Sequence, residues 1–79
     1  MTVRPGIYKH YKGMFYQVLG ISRHSETLDI LVVYQALDGD YGLWVRPVEL
    51  FTGTLFLDGK MVQRFTWISE GTSQAPAFR

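Results

Sequence analysis

The sequence predicts an all-β domain: a small SH3-like barrel or a strongly bent antiparallel sheet of five or six strands, followed by a disordered C-terminal tail. Three observations carry this reading. Five Phe, five Tyr and two Trp are spread along 79 residues together with many β-branched residues, types that suit pleated, half-buried backbone. Apolar positions alternate over short runs, each closed by Gly, Pro or an Asp-Gly turn. No amphipathic run of ten residues offers a helix, which disfavours an OB-like barrel with its helix between the third and fourth strands.

Taken in order, Arg4-Pro5-Gly6 is the first punctuation, Ile7 to Tyr11 alternates as a first strand, and Lys12-Gly13 turns the chain. From Met14 to Arg23, Phe15, Leu19 and Ile21 share one face and Met14, Tyr16 and Val18 the other. Two apolar faces predict a buried or curved strand, with Gly20 supplying a bend or bulge. His24 to Thr27 holds no apolar residue and reads as a hairpin connection. Leu28 to Ala36 is a third strand, with Leu28, Ile30, Val32, Tyr34 and Ala36 on one face. Asp38-Gly39-Asp40 turns into a strand from Tyr41 to Arg46, which Pro47 ends. Val48 to Phe51 fits one 3₁₀ turn whose Leu50 and Phe51 plug the end of a barrel. Thr54 to Ile68 is a hairpin on a type I′ turn at Asp58-Gly59, which pairs Leu57 with Lys60, Phe56 with Met61 and Leu55 with Val62. Arg64 to Ile68 is expected to prolong its second arm. The domain thus covers 1–68, and 69–79, small, polar and proline-containing, forms a flexible tail.

A chain of this length supports one core. The absence of cysteine excludes disulfides, Cys-based zinc sites and a cysteine nucleophile. A formal charge of +1 with interspersed signs produces no long-range field toward nucleic acid or anionic lipid. Ile30 to Tyr34, the longest apolar stretch, falls far short of the ~20 residues that span a bilayer, and no signal-peptide h-region opens the chain. A cytoplasmic protein without membrane partners is expected, a monomer or a weak dimer formed through an uncovered strand edge.

Three stretches together carry a family resemblance: Arg4-Pro5-Gly6-Ile7-Tyr8-Lys9-His10-Tyr11-Lys12-Gly13, then Val18-Leu19-Gly20-Ile21-Ser22-Arg23-His24-Ser25-Glu26-Thr27, then Val33-Tyr34 through Gly39-Asp40-Tyr41-Gly42-Leu43-Trp44-Val45-Arg46-Pro47. They resemble the bacterial DUF1653 family of small proteins, over roughly residues 4 to 68. The resemblance implies a bacterial source and no activity, because the family brings no substrate or catalytic residues to transfer. Leu50 stands where the family usually has Met, a volume-conserving exchange.

Two constellations are candidate sites. Arg23, His24, Ser25, Glu26 and Thr27 place a cation, a base, a hydroxyl and a carboxylate in one run. Neighbours on a strand point to opposite faces, so a catalytic relay is disfavoured; turn bonding or a ligand-contacting loop fits better. His10 would approach this loop if the first strand packs beside the hairpin. A metal would need both histidines with Glu26, Asp38 or Asp40, and no spacing enforces that, so neither metal nor cofactor is expected. Tyr34, Tyr41, Trp44 and Arg46 form the second group, aromatics and an arginine of the kind found in peptide grooves and base-stacking platforms. Trp44 and Arg46 share a strand face, either turned outward or capping the core with Arg46 over the indole. The expected function is non-enzymatic recognition of a peptide or protein segment by this surface beside the His24 loop. The alternatives are single-stranded nucleic-acid binding, aided by Arg4, Lys9, Lys12, Arg23 and Arg46 with Lys60 and Arg64 of the hairpin adding to the patch, and, less favoured, an enzyme using His24, Ser25 and Glu26 with His10.

Overall fold

Alternating apolar residues do produce an all-β fold, with seven strands and one helical turn among the described residues. The structure, a computed structural model, describes residues 3–70. In order these are β1 (Gly6–His10), β2 (Phe15–Arg23), β3 (Ile30–Ala36), β4 (Leu43–Pro47), α1 (Val48–Phe51), β5 (Thr54–Leu57), β6 (Lys60–Gln63) and β7 (Phe65–Ser69). Five strands form an antiparallel sheet in the order β4-β3-β2-β1-β7, and β5-β6 is a separate ribbon.

The sheet is not a closed barrel: its edges, β4 and β7, do not pair with each other. It curls instead. Phe65 on β7 and Tyr34 on β3 have ring centroids 5.6 Å apart, although three strand spacings of about 4.8 Å separate their backbones. The inner face holds Tyr8, Val18, Val32, Tyr34, Val48, Phe51 and Phe65. Phe51, 1% exposed, stacks on Phe65 at 4.1 Å and receives Tyr8 and Tyr34 in edge contacts at 5.2 and 5.4 Å. Rings packed this way add to the area they bury.

Gly20 marks a bulge, as its sequence context predicts: Val18 pairs with Tyr34, and Gly20 with Val33. The extra residue changes the alternation, so Ile21 stands opposite Val32 and leaves the face it shares with Phe15 in an unbroken strand. The Phe15, Leu19 and Ile21 side chains are all substantially exposed. β3 starts at Ile30, because Leu28 has a φ of 64° and belongs to the turn. Likewise β4 starts at Leu43, after Tyr41 at a φ of 55°.

Val48 to Phe51 makes one α-turn, closed by the Thr52 N–H to the Val48 carbonyl at 3.0 Å. Val48 and Phe51, three residues apart, face the core, whereas Leu50, expected as a plug, is exposed. The Asp58-Gly59 hairpin has the expected register, both turn residues having positive φ.

Its second arm stops at Gln63. Arg64 bends the chain, donating its N–H to the Gly53 carbonyl and accepting at its own carbonyl from the Tyr11 N–H. Phe65 then pairs with His10, Thr66 with Lys9 and Trp67 with Tyr8. The expected long hairpin gives way because Phe65 gains more by joining the ring stack than by extending a two-stranded ribbon. β7 reaches Ser69, opposite Ile7, so the first residue assigned to the tail is a strand residue; 71–79 lie outside the described residues. Gly6, at a φ of 138°, lets β7 approach, since a Cβ there would collide with the Ser69 carbonyl and the Trp67 indole.

Candidate functional site

His10 anchors a polar and aromatic cluster. It ends β1, is 8% exposed, and its Nδ1 accepts the Lys12 N–H at 3.1 Å. That bond places the ring proton of the neutral imidazole on Nε2. The ring lies 4.9 Å from Phe65, 6.3 Å from Tyr16 and 4.5 Å from Tyr11. Burial lowers its pKa, and the Arg46, Arg64 and Lys12 charges lower it further. Tyr16 has its pKa raised by burial first, then by Tyr34 and Asp38, with Arg46 opposing.

Arg46 reaches this cluster from the edge strand. Register places Trp44 opposite Tyr34 and Arg46 opposite Val32, so both project from the core-facing side of β4. Arg46 Nε donates to the Tyr34 hydroxyl at 3.2 Å, and the guanidinium carbon lies 5.7 Å from the Phe65 ring centre. Trp44 remains 57% exposed. Of the two readings of this face, the one with Arg46 over the indole gives way to a contact with Phe65, while Leu43 and Val45 occupy the outer face and are themselves exposed.

The Arg23 to Thr27 run is a self-contained turn. His24 Nδ1 accepts the Glu26 and Thr27 N–H groups at 3.1 and 3.3 Å, and Thr27 Oγ1 accepts the Asp29 N–H at 3.2 Å. The His24 N–H and Asp29 carbonyl close the loop at 2.9 Å. Arg23, Ser25 and Glu26 are exposed. His24 follows the far end of the nine-residue β2, whose near end pairs beside His10. The two histidines thus lie at opposite ends of that strand and belong to separate turns. Tyr41 contributes its carbonyl, which accepts from Gln35 Nε2 at 2.9 Å, a bond that anchors the β3–β4 turn.

Of the ten residues singled out by sequence, His10, Tyr34, Trp44 and Arg46 thus share one region; the loop residues and Tyr41 do not join them. Tyr16, Lys12 and Arg64 belong to it as well. Tyr16 alternates with Val18 and reads as a core residue, while Arg64 reads as hairpin until the chain is known to cross to β1. Among the described residues no acid pairs with Lys12, Arg46 or Arg64, and Arg64 Nε is buried without a hydrogen-bond partner.

The other side of the ring stack has a different character. A cleft of about 220 Å³ is lined by Tyr8, Phe51, Phe65 and Trp67, with Thr52 and Gln63. Arg4 lies 3.6 Å over the Trp67 ring, Trp67 Nε1 donates to the Pro5 carbonyl at 3.2 Å, and the Tyr8 hydroxyl donates to the Arg4 carbonyl at 2.7 Å. This arginine–tryptophan pair is spent on tying residues 4 and 5 across β7.

A crystal structure of a DUF1653 protein from Bordetella bronchiseptica is similar to this chain at 32% identity, with a TM-score of 0.80, over 91% of this chain and 95% of that one. No curated protein matches it. The family model described as "Protein of unknown function (DUF1653)" matches residues 6–67, which include β1, the His10 cluster, the edge strand with Trp44 and Arg46, and all but the last two residues of β7; the chain belongs to the DUF1653 family.

Proposed function

We propose that the protein is a non-enzymatic binding module that recognises an extended peptide or protein segment along β4. The observation that carries this reading is Trp44 and Arg46 on the core-facing side of an edge strand, one exposed and the other held by a single Tyr34 bond. An edge strand offers unpaired backbone groups to an added strand, and alternate side chains beside it supply selectivity. Trp and Arg are the residue types that dominate binding energy at such contacts. The His24 turn spends its imidazole on backbone amides, which favours binding over catalysis there.

The double variant Trp44→Ala/Arg46→Ala tests this. Wild-type protein should enrich a consensus from a displayed library of random peptides. The variant, shown folded by its amide spectrum, should bind that consensus at least about thirtyfold more weakly, the effect of losing roughly 2 kcal/mol of anchor contacts. Equal affinity in the two proteins overturns the reading. A second reading, single-stranded nucleic acid, draws on the basic residues Lys12, Arg46 and Arg64 together with the exposed Trp44 ring. It requires affinity for an oligonucleotide that falls steeply with salt.

A further inference from the structure

The cations around His10 form no ion pair with a described acid, although the Asp38 carboxylate charge reaches Tyr16 from the β3–β4 turn. Arg46 and Arg64 are both half-buried, and no described acid pairs with either. Arg46 uses Nε on Tyr34, leaving both terminal nitrogens. Arg64 Nε is buried and unbonded. Beside them His10 presents Nε2–H, since Nδ1 is occupied by the Lys12 amide, and Tyr16 meets both Tyr34 and Phe65 edge-to-face at 5.3 and 5.7 Å. Withdrawing two guanidinium groups from water without an anion costs free energy.

We propose that Arg46, Arg64 and His10 form an oxyanion site for a phosphate monoester dianion. Charge selects this class over a carboxylate. Two half-buried guanidinium groups are balanced by a phosphoryl group carrying −1.5 to −2 at neutral pH, whereas one carboxylate fills a single fork. Exposed Lys12 adds a third cation at the rim, where water already solvates it. The neutral imidazole serves as a hydrogen-bond donor, and an anion placed against it favours its protonated form, opposing the three cations that now suppress that form. The phosphoryl group would come either from free phosphate or from a phosphorylated residue in the bound segment; the second source rests on the peptide reading.

The test is titration of the full-length labelled protein with inorganic phosphate, O-phosphoserine and, as a monoanion control, dimethyl phosphate, followed through the His10 ring protons and the Arg side-chain Nε–H signals. Phosphate or phosphoserine should shift these signals, raise the His10 pKa, and bind more tightly than dimethyl phosphate, leaving His24 unmoved. Tighter binding of phosphoserine assigns the group to a phosphorylated segment; equal or tighter binding of phosphate assigns it to the free ion. Arg64→Gln should weaken binding at least about tenfold, the worth of one charge-assisted contact. Arg64→Lys, which retains charge and loses the fork, should also weaken it. No response to either dianion, or unchanged affinity in Arg64→Gln, overturns the site. Silence toward phosphate with peptide capture intact removes this inference alone, and phosphate binding with capture indifferent to Trp44 and Arg46 removes the peptide reading alone.

Discussion

The turn after β1 and the turn after β2 are built on the same local device and end in different chemistry. In each, a histidine Nδ1 accepts the N–H two residues ahead, Lys12 for His10 and Glu26 for His24. His10 is enclosed by Phe65, Tyr16 and Tyr11 and surrounded by Lys12, Arg46 and Arg64. His24 stands in solvent at the other end of β2. A histidine that caps its own turn is a structural element wherever it sits. What makes one of the two a candidate ligand group is the set of distant strands that close over it.

The largest effect that would break this contrast is on stability. His10→Ala should lower the unfolding free energy by about 2 to 4 kcal/mol, as for other aromatic truncations in a packed core, read from urea melts. A cost equal to that of the His24 variant would erase the distinction. Next comes pH. Because the folded-state pKa of His10 lies below its ordinary value of about 6.5, protonation favours the unfolded chain. The His10 contribution is therefore complete above pH 6.5 and is lost as pH falls through that value toward the depressed native pKa, at up to about 1.4 kcal/mol per pH unit. Melts between pH 7 and 5 should show this loss in wild type and in His24→Gln, and a flatter profile in His10→Gln. The smallest effect is His24→Ala itself, at most about 1 kcal/mol for two exposed turn bonds; a larger loss would mean that the β2–β3 turn is structurally as demanding as the core.

What the sequence makes legible follows from range. The Asp58-Gly59 hairpin and the Gly20 bulge are written in adjacent residues, because a type I′ turn needs positive φ at both centres and a bulge favours glycine. The seventh strand was not legible: Arg64-Phe65-Thr66-Trp67-Ile68 alternates equally well as a longer hairpin arm, and only the ring stack with Phe51 and Tyr34 decides the matter. The site divides likewise. Trp44 and Arg46 show their common face by parity, but which face meets the core depends on the pairing of Trp44 with Tyr34. Arg64 and Tyr16 enter only through contacts with β1 and β3, for which local spacing holds no record.

The partnership of the first strand with the last bears on how the molecule is made. Phe65, at the hub of the ring stack, belongs to β7, and the Trp67–Pro5 bond joins residues 62 positions apart. As the chain emerges from a ribosome, β1 to β4 can pair while Phe51, Tyr8 and Tyr34 still lack the ring that packs them together. The domain should therefore consolidate late, after β7 is released, with the loop-closure entropy of the chain between β4 and β7 opposing that step. Until then the β1 edge and an unfilled aromatic face stay open to other chains, an interval in which a nascent copy is most vulnerable to aggregation.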